Sequence, residues 1–314
     1  MSLTVLIPGA GGPAAVGTIK SLRLAGFTGH IVSTDANPLS AGFYLSDSFH
    51  VVPKVNDMAF YPTVLRLIQE AQVHVIMPTS GFDIYEYSRH KPELERSGIV
   101  AAMSDVDAMT ICANKWEFYL KTCDAFPLPE TSMDLARWQT FPCFVKPVLG
   151  KGSRHSYRCD GPEELAFYTS QVQDLIVQEF LPGEEYTVDV LSDLEGTPLL
   201  AVPRVRLETK EGISTKGKVI HDAEIERLCL EIARHLHLKG PTCIQLKRDR
   251  AGALKFLEVN PRIGGGMMFT TLAGVNIPQL LLELIAGEAI TVPERRELTV
   301  LRYYEEIIVD ASAR

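Results

Sequence analysis

A charged strand running into three consecutive glycines constrains this chain more than any other stretch. From Gln245 it reads Gln245-Leu-Lys-Arg-Asp-Arg-Ala-Gly-Ala-Leu-Lys-Phe-Leu-Glu258-Val-Asn260-Pro-Arg262-Ile-Gly-Gly-Gly266. Asp249 to Gly252 supply turn residues between two strands. Side chains alternate along a strand, so Phe256, Glu258 and Asn260 are expected on one face, with Gln245 reaching the same patch from the partner strand. That collects one carboxylate and two amide oxygens, with Arg262 just beyond. Hard oxygen donors of this kind suit Mg²⁺, which takes a few protein oxygens and completes its shell with substrate phosphates. The same residues also read as a polar sheet face closed by a glycine-rich loop.

The amino-terminal third reads as an open α/β sheet. Thr4-Val-Leu-Ile-Pro8 is an apolar strand, a Gly9-Ala-Gly-Gly-Pro turn opens a helix that stops near Gly26, and His30 to Asp35 is the next strand. Pro13 suits a helix start, where no N–H is needed. Gly9-x-Gly11-x-x-Ala14 with Asp35 also fits a dinucleotide fingerprint. It therefore supplies a competing reading, a non-catalytic nucleotide or dinucleotide sensor. Strands at Asp47–Pro53, Val73–Pro78 and Ile99–Met103 and a helix at Tyr61–Ala71 complete a domain ending near residue 110. In such sheets ligands bind at the carboxyl ends of the strands, here Gly9 to Gly12, Asp35 and Thr79 to Asp83.

Further on, Ile111 to Leu120 and Leu272 to Ala286 each read as one helix, and Val300 to Val309 as a closing strand. Asp222 caps a helix whose apolar positions Ile225, Leu228, Cys229, Ile232 and Leu236 keep helical spacing. The net charge of −8 argues against a surface that coats nucleic acid. No apolar run is long enough to span a bilayer and no signal peptide is recognisable, and the six cysteines form no Cys-x-x-Cys pair. A cytoplasmic protein with reduced thiols is the expectation.

Phe141-Pro-Cys-Phe-Val-Lys146-Pro147 is a strand bearing a lysine, followed by a loop containing Gly150, Gly152, Ser153 and His155. Backbone N–H groups of such a loop and the lysine can cover a polyphosphate, although a solvated surface hairpin has the same appearance. Gln178-Glu179-Phe180-Leu181-Pro-Gly-Glu-Glu185 then joins two strands through an acidic turn.

In this order the elements resemble the ATP-grasp superfamily, and Asn-Pro-Arg-x-Gly-Gly-Gly is most similar to a single module of the carbamoyl-phosphate synthase large subunit. The resemblance implies an ATP-grasp fold behind an N-terminal open parallel domain, divided as residues 1–110, a lid at 111–183 and a catalytic subdomain at 184–314. It implies that Lys115 and Lys146 reach the ATP phosphates under the Gly152–Ser153 loop, and that Glu179, Phe180 and Leu181 receive adenine. Glu185 would accept from the ribose hydroxyls, Gln245, Glu258 and Asn260 would hold Mg²⁺ or Mn²⁺, and Arg262 would lie beside the transferred phosphate. The activity implied is a carboxylate–amine or related ligase working through an acyl phosphate on small molecules, a homodimer being compatible with it. Two positions depart from the pattern: His155 stands where relatives have glycine, and Cys243 where they often have asparagine. Arg204, Arg206, Lys210, Lys216 and Lys218 read as a basic segment between strands, open to an anionic substrate or simply solvated. The acceptor is expected over Gly264 to Gly266, between Arg262 and the N-terminal strand ends.

Overall fold

The computed structural model describes residues 3–150, 152 and 154–309, and Ser153 falls outside them. The first sheet is parallel: β1 (Thr4–Pro8), β2 (His30–Asp35), β3 (Ser48–Val51), β4 (Val75–Ile76) and β5 (Val100–Ala101) lie in the order β3-β2-β1-β4-β5. Helices α1 (Pro13–Leu24), α2 (Phe60–Glu70), α3 (Ile84–Arg89) and α4 (Lys91–Arg96) intervene. Alternate β-residues feed two cores: Val5, Ile7 and Ile31 pack with α1, while Leu6 and Val32 pack with α2. A parallel sheet buried on both faces is the reason its strands read as unbroken apolar runs.

The helix expected at Ile111–Leu120 is two: α5 (Val106–Ala113) and α6 (Lys115–Thr122). Asn114 separates them because its side chain caps α6, accepting from the N–H groups of Trp116 and Glu117, while its backbone forms a bridge to Leu149. The second sheet follows in the order β6-β9-β7-β8, from β6 (Thr131–Ser132), β7 (Cys143–Pro147), β8 (Tyr157–Cys159) and β9 (Leu175–Glu179), with α7 (Pro162–Gln171) packed on one side.

The third sheet comprises β10 (Glu185–Ser192), β11 (Pro198–Lys210), β12 (Ile213–Val219), β13 (Pro241–Arg248), β14 (Leu254–Asn260) and β15 (Leu298–Leu301), ordered β14-β13-β10-β11-β12-β15. Helix α8 (Ala223–His235) covers one face, burying Ile225, Cys229 and Ile232 against Val188, Val190, Ile244 and Phe256. The helix expected at Leu272–Ala286 starts later, as α10 (Ile277–Ile285): Leu272 ends a separate helix, α9 (Met267–Leu272), Gly274 takes φ +111° and Asn276 caps α10. On the other sheet face, Leu191, Leu200, Val202 and Val219 join α9, α10 and the α1 side of the first sheet in one core. The closing strand is shorter than its composition suggests. After Arg302 donates to the Thr215 carbonyl, the chain leaves the sheet edge, where Lys210 meets Tyr304 and Lys20 pairs with Glu305.

Asp222 caps α8 as expected, its carboxylate accepting from the N–H groups of Glu224 and Ile225. Asp222→Ala should therefore lower stability by about 1 kcal/mol, the usual worth of an N-cap. A thermal unfolding midpoint that does not fall would show that this cap contributes nothing.

Candidate active site

Strand alternation sorts the third sheet into an apolar face under α8 and a polar face. On β10 the polar face carries Glu185, Thr187 and Asp189, on β11 Arg204 and Arg206, on β13 Cys243, Gln245 and Lys247. Glu258 and Asn260 join them, but not by simple alternation. Gln245 pairs with Glu258 and Leu246 with Phe256, so Leu257 is an extra residue, a β-bulge. Phe256 is fully buried under α8, and the expectation that it shares a face with Glu258 fails at this bulge. Past it, Val259 turns into the apolar core while Glu258 and Asn260 face the site.

There Gln245 Nε2 and Asn260 Nδ2 both donate to Glu258 Oε1, at 2.7 and 2.8 Å. Arg262 donates from Nη1 to the Ile263 carbonyl at 2.9 Å, and its Nη2 lies 3.5 Å from Asn260 Oδ1. The four residues thus form one connected cluster. Cys243 sits beside Asn260 in the ladder, buried, with burial holding its thiol pKa up at about 11. It stays a neutral thiol, a poor ligand for a hard cation.

Two lysines approach from other elements. Lys146 projects from β7, and Lys115 opens α6, whose first residue is tied to the same strand end by a bond from its N–H to the Val148 carbonyl. Burial drops the Lys146 pKa to about 8; Glu258 and Glu185 pull it up and Lys115 pushes it down. Burial likewise lowers Lys115, again opposed by Glu258. Lys115 Nζ donates to the Gly150 carbonyl at 3.2 Å, whereas the Lys146 ammonium has no hydrogen bond or ion pair among the described residues. Gly152 has φ +67°, and His155, at the position where glycine was expected, is itself left-handed at φ +55°.

The hinge expected to receive adenine offers an open backbone edge. Neither Phe180 nor Leu181 uses its main chain in a hydrogen bond among the described residues. The Phe180 ring lies under Arg158 at 4.7 Å and near Lys247 at 5.9 Å. Glu179 is held by Lys255 at 2.5 Å, and Glu185 lies between Arg206, 3.1 Å away, and Lys247, 3.8 Å away.

The basic segment is not a loop between strands: Arg204 and Arg206 belong to β11, Lys216 and Lys218 to β12. Arg204 is fully buried against Asp189, while Lys216 pairs at the surface with Glu208. One arginine escaped the sequence reading. Arg302, just beyond β15, donates to the Gly265 carbonyl at 2.6 Å and stacks its guanidinium 5.2 Å above Phe269. It makes no ion pair among the described residues, and burial together with Arg204 lowers its pKa. Neighbouring sequence carries no sign of this, since the contact joins residues far apart in the chain.

At the N-terminal turn, Gly11 N–H donates to Asp35 Oδ2 at 2.8 Å and Asn37 N–H to Oδ1 at 2.9 Å. Both carboxylate oxygens are engaged with the chain itself. The first sheet's strand ends and this turn also abut the glycine turn after β14: Ile263 N–H donates to the Pro78 carbonyl, and a Cβ at Gly265 would lie 3.1 Å from Pro13.

Residues 5–102 match the family described as PylC-like, N-terminal domain, and residues 171–307 the family described as ATP-grasp in the biosynthetic pathway with Ter operon. D-alanine–D-alanine ligase of Aquifex aeolicus is 26% identical over 49% of this chain and 55% of its own length, so the match spans about half of that enzyme. Carbamoyl-phosphate synthase of Methanobrevibacter smithii is 23% identical over 82% of this chain and 74% of its own. Among solved structures, biotin carboxylase of Campylobacter jejuni in its β,γ-ATP complex superposes with TM-score 0.73 at 15% identity, covering 92% of this chain and 72% of that one. L-amino acid ligase of Bacillus licheniformis does so with TM-score 0.67 at 18% identity, covering 90% and 73%.

Burial should make Lys146 costly to the fold. A base with a depressed pKa binds fewer protons folded than unfolded, so its penalty is present below about 8 and is relieved as pH climbs towards 10.5. Lys146→Met should raise the melting temperature at pH 7, the gain shrinking by pH 10, while ATP ceases to stabilise the protein. A variant that melts lower at pH 7 and still responds to ATP would contradict this. The three sheets described, the two matched segments and the solved neighbours converge on one architecture: the chain has the ATP-grasp fold, and its residues 171–307 match an ATP-grasp family.

Proposed function

We propose that the protein is an ATP-dependent ligase that activates a small carboxylate as its acyl phosphate. The observation that carries this reading is the convergence of Lys115, Lys146, Glu258, Asn260 and Arg262 on one polar sheet face beside a hinge with a free backbone edge. Two desolvated ammonium groups facing a single carboxylate leave surplus positive charge, which a nucleotide's phosphates would neutralise.

The donor set fits magnesium or manganese only in company with those phosphates. Among the described residues no group of three His, Cys, Asp or Glu side chains could hold a metal unaided. Glu258, with the amide oxygens of Asn260 and Gln245, is the one-carboxylate shell such hard cations accept when phosphate completes it. Bound there, the cation would draw charge from the phosphate oxygens.

Lys146 and Lys115 hold the phosphate chain and the Phe180–Leu181 edge the adenine. The γ-phosphorus then passes to a carboxylate oxygen of the acceptor and ADP leaves. An amine forms a bond to the acyl carbon, inorganic phosphate departs, and the amine sheds a proton to solvent. Catalysis of this kind is mainly positioning and charge neutralisation. Arg262 and Arg302, both without an acidic partner among the described residues, flank the glycine turn and would grip the acceptor's carboxylate or the transferred phosphate. The named activities of the similar ligases favour an amino-acid acceptor. The dinucleotide-sensor reading has less support because Asp35, its ribose acceptor, already takes one N–H on each oxygen, from Gly11 and Asn37.

Mg²⁺-ATP or Mg²⁺-ADP should raise the melting temperature and NAD should not, since only a ligand of the native state stabilises it. A phosphate-release screen of amino acids with Mg²⁺-ATP should find an acceptor that accelerates turnover. With that acceptor, Glu258→Gln should cut turnover at least about a hundredfold, equivalent to ~2.7 kcal/mol, without unfolding the protein. Wild-type turnover in this variant would remove Glu258 from the metal shell.

A further inference from the structure

We propose that the buried Asp189–Arg204 pair, tied to α9 through Thr270, is a positioning unit that seats the Gly264–Gly266 turn and so aims Arg262. Its catalytic consequence rests on the ligase reading above; the seating itself does not.

Arg204 and Asp189 are 1% and 3% exposed and meet through two bonds, Nε to Oδ2 at 2.8 Å and Nη2 to Oδ1 at 3.1 Å. Thr270 Oγ1 adds a third, to Oδ2 at 2.5 Å. Removing two charges from water costs more than their attraction usually returns, and packed apolar residues often serve stability as well or better. A fully buried pair is thus poorly explained by stability alone.

Its surroundings supply another explanation. A Cβ at Gly266 would lie 2.5 Å from Arg204 Nη1, and one at Gly264 would lie 2.8 Å from Cys243 Sγ and 3.3 Å from Asp189 Oδ1. The turn's backbone therefore rests directly on this pair. Arg262 is attached to the start of the same turn, with Ile263 N–H fixed to the Pro78 carbonyl. Three guanidinium groups surround it: Arg262, Arg302 through the Gly265 carbonyl, and Arg204 beneath. Asp189 neutralises the lowest of them, so that Arg204 can be a rigid floor without repelling the other two. Asp189 and Asn260 also flank Cys243 from opposite sides in the strand ladder, which links the floor to the cluster on β14.

The test uses the full chain with Thr270→Val, which removes one bond at constant shape, Thr270→Ser, which restores it, and Arg204→Lys, which keeps the charge but loses the two-pronged contact. Amide hydrogen exchange is followed in peptides covering residues 262–267 and, as a control, β7 to β9. The expected result is exchange at least about fivefold faster in the turn for Thr270→Val and Arg204→Lys, unchanged exchange in the control sheet, and wild-type behaviour for Thr270→Ser. With the acceptor found by the screen, kcat should fall about tenfold while the KM for ATP stays within about twofold. Unchanged turn exchange in both disruptive variants overturns the proposal whatever the enzyme does. Faster exchange with kcat unaltered overturns the aiming of Arg262. Absence of any acceptor-dependent turnover in the wild type fails the ligase reading alone, and the exchange data still decide the seating. Should Arg204→Lys not fold, Thr270→Val carries the decision.

Discussion

Two ammonium groups drawn out of water around one carboxylate set the terms for the rest of this structure. Lys146 and Lys115 come from different elements and are both desolvated, and both feel Glu258 as their main attraction. One carboxylate does not balance the buried Lys146 and the half-buried Lys115, so the cluster carries surplus positive charge. Such an arrangement is costly to a fold and persists where an anion is meant to complete it. Glu185 helps Lys146 less than Glu258 does, and its charge is shared with Arg206 and Lys247. The imbalance therefore points outward, to a ligand carrying several negative charges.

Placing Glu258 opposite those lysines depends on a single inserted residue. With regular alternation from Phe256, Glu258 and Asn260 would lie under α8 among Ile225, Ile232 and Ile244, where an unpaired carboxylate is prohibitive. The bulge at Leu257 turns both outward and returns Val259 to the core. One strand can in this way pack an apolar face at its start and present ligands at its end. The amides of Gln245 and Asn260 then hold the carboxylate through one oxygen, Oε1, while Arg262 approaches Asn260 Oδ1. The strand ends in a turn where a Cβ at Gly264 or Gly266 would collide with Cys243 or Arg204 and one at Gly265 would press on Pro13, so the backbone lies close against both sheets.

Much of this was legible in the residues, and the misses have definite causes. Strands, glycine turns and the lysine-bearing β7 follow from local pattern, and their order carried the fold. The bulge was not visible, since alternation read from Lys255 to Asn260 gives no sign of an extra residue; only pairing with β13 reveals it. The break at Asn114 was available: an asparagine followed three residues later by Glu117 is a helix-start signal, overlooked beneath the helical pattern around it. Arg204 and Arg206 looked like surface charge because their counter-ions, Asp189 and Glu185, stand on another strand. Arg302 meets Gly265 across 37 positions, a contact that no window of sequence contains.

The glycine-rich first turn shows how a motif can keep its geometry while its ligand-binding groups are committed to the fold. Its helix start and its acidic residue at the end of β2 are present, but Asp35 closes the turn on itself through Gly11 and Asn37. Thr79 binds two neighbouring strand ends together through the Pro8 carbonyl, and Ser40 closes the loop after β2 on the Asn37 carbonyl. Pro13 then packs towards Gly265, and the Pro78 carbonyl receives the N–H of Ile263. The carboxyl ends of β1 and β4, where an open sheet would ordinarily take its own ligand, are thus built against the turn that follows β14. A pocket formed there belongs jointly to both sheets, so in the proposed ligase the N-terminal domain would be a wall of the acceptor site, and nucleotide recognition would fall to the hinge and lysines.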